Sequence, residues 1–178
     1  PVLGVASLCA VAKQAGHKVR AYDQFVSGAT SEQLADRIVD FKPDVVGVGI
    51  LTPAAEVCEQ LTAQVRRRLP SCCIVAGNIH ADFFAEDVLN WGSVDVVVHG
   101  EGEKTFAELL DSLANGAARD ELEGVAGLSY RNSVGEICRG PERPLIADLD
   151  SLPLPAWELL PIHNYGLLPL ADLAKPTL

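Results

Sequence analysis

The stretch VAGNIHAD, residues 75–82, decides the fold that this sequence predicts. The apolar residues before Gly77 are typical of a buried strand. Gly77 and Asn78 then turn the chain toward a helix, because both residue types tolerate positive φ and let a ligand approach the backbone. His80 adds a side chain that can contact a ligand or cap the turn. A strand end of this kind is typical of the ligand-binding edge of an open α/β sheet.

Four apolar runs, separated by helical patterns, predict the rest of the architecture. They are rich in valine and isoleucine without strict alternation, which favours parallel strands covered on both faces. With helices between them, they predict a doubly wound α/β sheet with right-handed crossovers. The predicted strands are residues 18–23, 45–50, 73–76 and 94–98. The predicted helices are residues 4–15, a segment opened by the capping box Thr30–Gln33, residues 53–69, a short helix after Asp82, and residues 103–114.

The first strand of such a sheet is missing from this sequence. The chain opens almost directly in a helix, so no strand precedes residues 4–15. We therefore expect a gap near the middle of the sheet, filled by a rearranged N-terminus or by a neighbouring molecule. Self-association through the incomplete sheet follows as a prediction.

The character of the chain changes after Gly124. Residues 127–131 and 135–140 flank a turn at 132–135 and predict a small β-hairpin. Three prolines at 153, 155 and 161 then predict a stiff connector, because proline cannot pair inside a sheet. The predicted domains are an α/β domain at 1–122, a hairpin extension at 123–147, and a linker at 148–178 toward an absent domain.

Composition excludes several classes of function. The 24 acidic and 14 basic residues give a net charge of −10, which disfavours nucleic acid as a partner. No apolar run approaches the roughly 20 residues that span a bilayer, so we expect a soluble, cytoplasmic protein without a membrane partner. The five cysteines form no CxxC pair, which argues against a zinc site, a disulfide framework or an iron–sulfur motif in these residues.

The common sites of α/β sheets do not match either. The glycines of Gly47-Val48-Gly49 lie inside a predicted strand, and Thr52 stands where a dinucleotide fingerprint has its third glycine. The segment GEGEKT (100–105) departs from a P-loop, because its carboxylates would repel a phosphate. No GxSxG elbow is present. The sequence therefore predicts ligand binding and assigns no catalytic residue.

Seven segments stand in a recognisable order along nearly the whole chain. They are PVLG (1–4), AGHKV (15–19) followed by Asp23, FKPDVVG (41–47) followed by Leu51-Thr52, GNIHA (77–81), VVHGEGE (97–103), GLSYR (127–131) and LPLPAWELLP (152–161). In this order and spacing, the chain resembles the cobalamin-binding domain that precedes the catalytic barrel in many radical S-adenosylmethionine enzymes. The resemblance implies a flavodoxin-like, or Rossmann-like, cobalamin-binding fold.

The resemblance also implies where cobalamin binds. A corrinoid is a wide, mostly apolar disc with a nucleotide tail, and glycine-lined strand ends let the backbone come close to it. Asn78 departs from the family, which usually has a second glycine there. The DxHxxG motif, whose histidine ligates cobalt in other cobalamin proteins, is absent, so the resemblance assigns no metal ligand. The implied contacts are Thr52, Gly77, Asn78, His80, Gly100, Glu101 and Gly102.

The function implied is that of a cobalamin-binding module of a larger radical S-adenosylmethionine enzyme. A [4Fe–4S] cluster and S-adenosylmethionine would belong to the absent catalytic domain, the module's partner, so the chain alone should show no turnover. The parent reaction would be methyl transfer, an oxidation, or a ring closure such as that of a magnesium-protoporphyrin ester cyclase. The alternative is a degenerate flavodoxin-like scaffold or interaction module that binds no corrinoid.

Overall fold

The computed structural model describes residues 2–117 and 119–167, which divide into two compact units. The first unit is formed by residues 2–30 and 148–167, and the second by residues 31–147. The first contains α1 (Leu3–Gln14), α2 (Gln24–Ser27) and short 3-10 helices at Leu149–Ser151, Trp157–Leu159 and Ile162–Leu167. The second contains α3 (Ser31–Phe41), β1 (Val45–Gly49), α4 (Ala55–Arg68), β2 (Cys73–Gly77), α5 (Asn78–Phe83), α6 (Ala85–Asn90), β3 (Val96–Val98), α7 (Gly102–Ala114), β4 (Leu128–Arg131) and β5 (Ile137–Arg139), with 3-10 helices at Thr52–Ala54 and Arg119–Gly124.

The second unit is built on one five-stranded sheet with the order β1-β2-β3-β4-β5. The first three strands are parallel, and Gly49 is opposite Gly77 at the end of the β1–β2 pair. The hairpin β4–β5 continues the sheet in antiparallel fashion, with Val97 opposite Ser129. The α/β class is confirmed, and the predicted hairpin adds two strands to the sheet edge beyond β3.

Both faces of the central strands are covered. Val96 and Val98 point to one face, where they pack with Leu109 of α7 and with Leu122. Val97 points to the opposite face because side chains alternate along a strand, and it is also fully buried. Burial on both faces explains why these strands consist of almost uninterrupted valine, and it confirms the doubly wound arrangement around them.

The predicted strand at residues 18–23 and the predicted gap near the middle of the sheet are both wrong. Residues 18–23, all of which the structure describes, form no β-strand, and the sheet of the second unit runs from β1 to β5 without a gap in its middle. A strand needs a neighbour to satisfy its backbone groups, and an apolar pattern alone does not supply one. Val19 and Ala21 instead pack beside Cys9 of α1 in the first unit. β1 is therefore an edge strand of the sheet, and self-association through it stays a prediction.

The segment predicted as a linker packs on α1 in the first unit. The Ala156 amide donates to the carbonyl of Ala6 (3.0 Å), and Lys13 forms an ion pair with Glu158. Cys9 and the buried Ala156 share an apolar cluster. The predicted domain boundaries stay a prediction.

A charged pair ties the elements together at the amino-terminal edge of the sheet. Asp95, which is 5% exposed, forms an ion pair with Arg66 of α4 and accepts the Ile74 amide (2.8 Å). Arg66 also donates to the carbonyls of Cys72 (2.8 Å) and Ser93 (3.2 Å). The loops at the opposite, carboxyl-terminal edge of the sheet contain the residues predicted to bind a ligand.

Among the described helices, none is long and apolar enough to cross a membrane.

Candidate functional site

The carboxyl ends of β1 and β2 are joined by backbone hydrogen bonds that continue past the strands. The Ile50 amide donates to the carbonyl of Gly77 (2.9 Å), and the His80 amide donates to the carbonyl of Ile50 (3.2 Å). The first turn of α5 is thereby fixed against the end of β1. The loops after the two strands consequently lie side by side at one edge of the sheet.

Two of the predicted contact residues meet at this edge. The His80 Nδ1 and the Thr52 Oγ1 are 3.2 Å apart, within hydrogen-bond distance. The imidazole also lies against the ring of Phe84, with the ring centroids 4.9 Å apart. His80 is half-buried, and its contacts with Thr52 and Phe84 position the imidazole. The pair offers a ligand a polar group beside an aromatic surface.

Asn78 adopts a left-handed backbone conformation. Its φ is +73°, in the left-handed region that asparagine enters more readily than most residues. Its Oδ1 accepts the amide of Ile79 (2.7 Å), and its Nδ2 would lie 3.8 Å from a Cβ built on Gly49. The amide side chain thus lies beside Gly49, which is itself exposed, at the strand ends where the corrinoid tail is expected.

The predicted glycines differ in what the backbone demands of them. Gly100 has φ +62° and no other residue within 4 Å of a built Cβ, so its conformation favours glycine while the space beside it is open. Gly77 has extended backbone, and a Cβ there would make an ordinary contact with the Val98 carbonyl at 3.8 Å. Gly102 is the first residue of α7. Of the three, only Gly100 has a backbone that resists replacement.

Glu101 has a structural partner. One of its carboxylate oxygens, Oε2, accepts the amide of Ile146 at 2.6 Å, which fastens the segment after the hairpin to the start of α7. The structure thus gives Glu101 a role in holding this segment, separate from the Thr52–His80 pair.

A hydrogen-bonded set that sequence reasoning missed lies next to these loops. His99 Nδ1 is 2.6 Å from Asp82 Oδ1, and His99 Nε2 is 2.8 Å from Ser129 Oγ. The Gly100 amide donates to the other oxygen of Asp82 (3.4 Å). The three side chains come from α5, from the loop after β3 and from β4, and no short motif links positions so far apart in the sequence. Only the parallel order of the strands and the hairpin's return brings them together.

Apolar side chains are exposed around the same edge. Leu51 is 52% exposed, Ile79 is 55% exposed and Phe83 is 76% exposed. Leu51 and Ile79 follow two paired strands in equivalent positions, and Phe83 ends α5. Clustered exposed apolar groups of this kind mark surfaces that a ligand or a partner covers. Their only signal in the sequence is that apolar residues stand at turns where polar residues are usual.

Proteins of similar sequence match nearly the whole of this chain. An uncharacterized methyltransferase of Pyrococcus horikoshii is 34% identical over 166 residues, 93% of this chain and 35% of that protein. An anaerobic magnesium-protoporphyrin IX monomethyl ester cyclase of Cereibacter sphaeroides is 32% identical over 177 residues, 96% of this chain and 28% of that protein. The chain thus spans about a third of the length of these relatives.

The fold is that of solved cobalamin-dependent radical enzymes. OxsB, a cobalamin-dependent S-adenosylmethionine radical enzyme solved with aqua-cobalamin and S-adenosylmethionine bound, superposes with a TM-score of 0.72 at 23% identity, over 89% of this chain and 22% of that chain. The radical S-adenosylmethionine methyltransferase TsrM of Kitasatospora setae gives a TM-score of 0.68 at 18% identity, over 79% of this chain and 27% of that chain. Residues 1–110 match the B12 binding domain model, and since this is more than half of the 178 residues, the chain belongs to the B12-binding domain family.

Proposed function

We propose that this chain binds a corrinoid at the carboxyl edge of β1, β2 and β3, as the cobalamin-binding module of a larger radical S-adenosylmethionine protein. The observation that carries the proposal is the surface around α5. There, exposed apolar side chains surround the Thr52–His80 pair on two strand ends that are fixed to each other. Family membership supplies the class of ligand.

The residues at this edge fit such a ligand in size and chemistry. Leu51, Ile79 and Phe83 offer an apolar surface for the corrin disc. Gly100 leaves open space beside its backbone, and Thr52 with His80 offers hydrogen bonds to the amide side chains or the nucleotide tail. Cobalamin bound there would supply a cobalt centre for group transfer or electron transfer. The chain's own residues would hold and orient it.

The chemistry of the parent protein is proposed from the relatives. Methyltransferases and a cyclase match over less than half of their own length, so the cluster and the S-adenosylmethionine would be held outside this chain. Methyl transfer and oxidative ring closure are both compatible with a corrinoid held at this edge.

The five cysteines are free thiols, which supports a reducing compartment such as the cytoplasm.

Reconstitution with hydroxocobalamin tests the proposal. The purified chain is mixed with the corrinoid and desalted, and the visible spectrum reports what stays bound. We expect near one equivalent for the unchanged chain and weaker retention for Phe83→Glu. Leu145→Glu is the matched control, since both side chains are 76% exposed in the second unit. No retention by the unchanged chain contradicts the proposed function, and equal retention by the two variants contradicts the proposed site.

A scaffold without corrinoid is the second candidate, and one observation favours it. The Asn78 side chain lies beside Gly49 at the end of β1, where the family's usual glycine would have no side chain. If this amide blocks the tail, the chain keeps the fold and loses the ligand. Replacement of Asn78 by glycine separates the two candidates, and its expected effects are developed in the Discussion.

A further inference from the structure

Asp82, His99 and Ser129 form a hydrogen-bonded chain with the order of a nucleophilic triad. With the proton on Nδ1, His99 donates to Asp82 Oδ1 across 2.6 Å, and Nε2 is then the acceptor for the Ser129 hydroxyl at 2.8 Å. The side chain of His99 is only 12% exposed, and that of Asp82 is 41% exposed. This is the arrangement in which a histidine acts as a general base toward a serine and a carboxylate holds the imidazole in place.

The triad opens onto a cavity of about 380 Å³ between α5–α6 and the hairpin. His99 and Ser129 line it from the sheet side, and Phe83 and Phe84 line it from the helices. The two phenylalanines are 76% and 46% exposed, so they form an apolar wall that a small acyl or aryl group can contact. Ser129 itself is 4% exposed, and its exposed part faces this cavity.

Strand register places a cation beside the serine. Ser129 is directly opposite Arg139 in the β4–β5 pair, so both side chains stand on the same face of the sheet. Cross-strand partners have their Cβ atoms about 4.5–5.5 Å apart. Arg139 lines the cavity together with the carboxylates of Glu86 and Asp87, and its guanidinium is the cationic group of the lining that can stabilise the negative charge developing on a carbonyl oxygen.

We propose that this cavity is an acyl-transfer site for small esters, with Ser129 as the nucleophile. The serine oxygen forms a bond to the ester's carbonyl carbon while His99 Nε2 takes the hydroxyl proton. The carbon–oxygen bond to the alcohol breaks, and the proton passes from His99 to the leaving alcohol. Water then attacks the acyl-serine with His99 again as the base, releasing the carboxylic acid and restoring Ser129. The chemistry needs no bound corrinoid, but the cavity adjoins the proposed corrinoid site, because Phe83 belongs to both surfaces.

Hydrolysis of p-nitrophenyl acetate by the 178-residue chain tests the proposal. General-base catalysis contributes typically 10²–10⁴-fold, so Ser129→Ala and His99→Gln should each lower the enzymatic rate about 100-fold or more. Ser112→Ala, on α7 and away from the cavity, is the matched control and should keep the full rate. A folded Ser129→Ala variant that keeps the rate within twofold overturns the proposal.

Covalent labelling gives a second readout, because a serine with a purely structural hydrogen bond would not react with a fluorophosphonate. A fluorophosphonate should label the unchanged chain at Ser129, located by peptide mass spectrometry, and labelling should fall at least tenfold in Asp82→Asn. The Asp82 side chain is 41% exposed and asparagine has the same shape, so this variant should fold. Labelling at other serines only, or equal labelling of the two proteins, overturns the proposal whether or not the Ser129→Ala variant folds.

Discussion

Replacing Asn78 probes both the strain and the openness of the candidate site. The residue holds φ at +73°, and its side chain lies over Gly49 while its Oδ1 accepts the Ile79 amide at 2.7 Å. Two substitutions separate these effects. Asn78→Gly removes the side chain and suits the backbone, whereas Asn78→Ala removes the amide group but keeps a Cβ in an unfavourable conformation.

The magnitudes follow from the backbone and from one hydrogen bond. A left-handed residue other than glycine or asparagine costs about 1–2 kcal/mol, and the lost hydrogen bond costs about 0.5–1.5 kcal/mol. We therefore expect Asn78→Ala to lower the free energy of unfolding by about 2 kcal/mol. Asn78→Gly loses the same hydrogen bond and gains unfolded-state entropy, but it relieves the backbone, so its net change should stay within about 1 kcal/mol.

Urea denaturation measures the stabilities, and hydroxocobalamin retention measures the binding. We expect Asn78→Gly to retain at least as much corrinoid as the unchanged chain, because the substitution removes the side chain that lies beside Gly49 at the end of β1. Retention by the glycine variant alone would mean that Asn78 blocks the ligand in the natural chain. If the alanine variant is as stable as the glycine variant, or the glycine variant binds less corrinoid, the reasoning about this residue is refuted.

Two further predictions concern charge and pH. Asp95→Ala should lower the free energy of unfolding by about 3 kcal/mol or more, because it leaves the partly buried Arg66 charge without its carboxylate. Asp36→Ala, at an exposed ion pair, should lower it by less than about 1 kcal/mol. Urea denaturation measures both, and equal losses would contradict the prediction. Burial first, and then its hydrogen bond to Asp23 (2.7 Å), raise the pKa of Tyr165 to about 12. The stabilisation that Tyr165 provides relative to Tyr165→Phe is therefore complete below pH 10 and should disappear as the pH rises from 10 to about 12. Thermal unfolding of both proteins measures this difference, and a difference that stays constant across that range would contradict the prediction.

The strands that sequence could predict are those whose burial is fixed by local composition. The runs at 45–50 and 73–76 became β1 and β2 because valine and isoleucine without alternation are buried on both faces. The turn at 132–135 was placed correctly between β4 and β5. Residues 18–23, with the sequence KVRAYD, mix three charged residues with apolar ones and form no strand. Such a segment becomes a strand only beside a neighbouring strand, which is a property of the assembled sheet and not of the segment.

The candidate site was predictable only where its residues follow the strands directly. The pairing of Thr52 with His80 follows from two parallel strand ends at one edge, and strand order predicts it. The partners of His99 do not follow in that way. Ser129 reaches it because the hairpin returns beside β3, and the register that sets Val97 opposite Ser129 is absent from any local pattern.

The exposed apolar side chains set a limit on the affinity of the corrinoid site proposed at the carboxyl edge of the sheet. Fully burying a large apolar side chain is worth about 1.5–3 kcal/mol, so completing the burial of Leu51, Ile79 and Phe83, each at least half exposed, is worth about 3–6 kcal/mol in all. Micromolar affinity requires about 8 kcal/mol. The apolar surface alone therefore falls short of micromolar binding, and the remainder has to come from polar groups such as Thr52 and His80. Loss of the Phe83 share alone, about 1–2 kcal/mol, corresponds to roughly tenfold weaker binding, which is the change that distinguishes Phe83→Glu from Leu145→Glu.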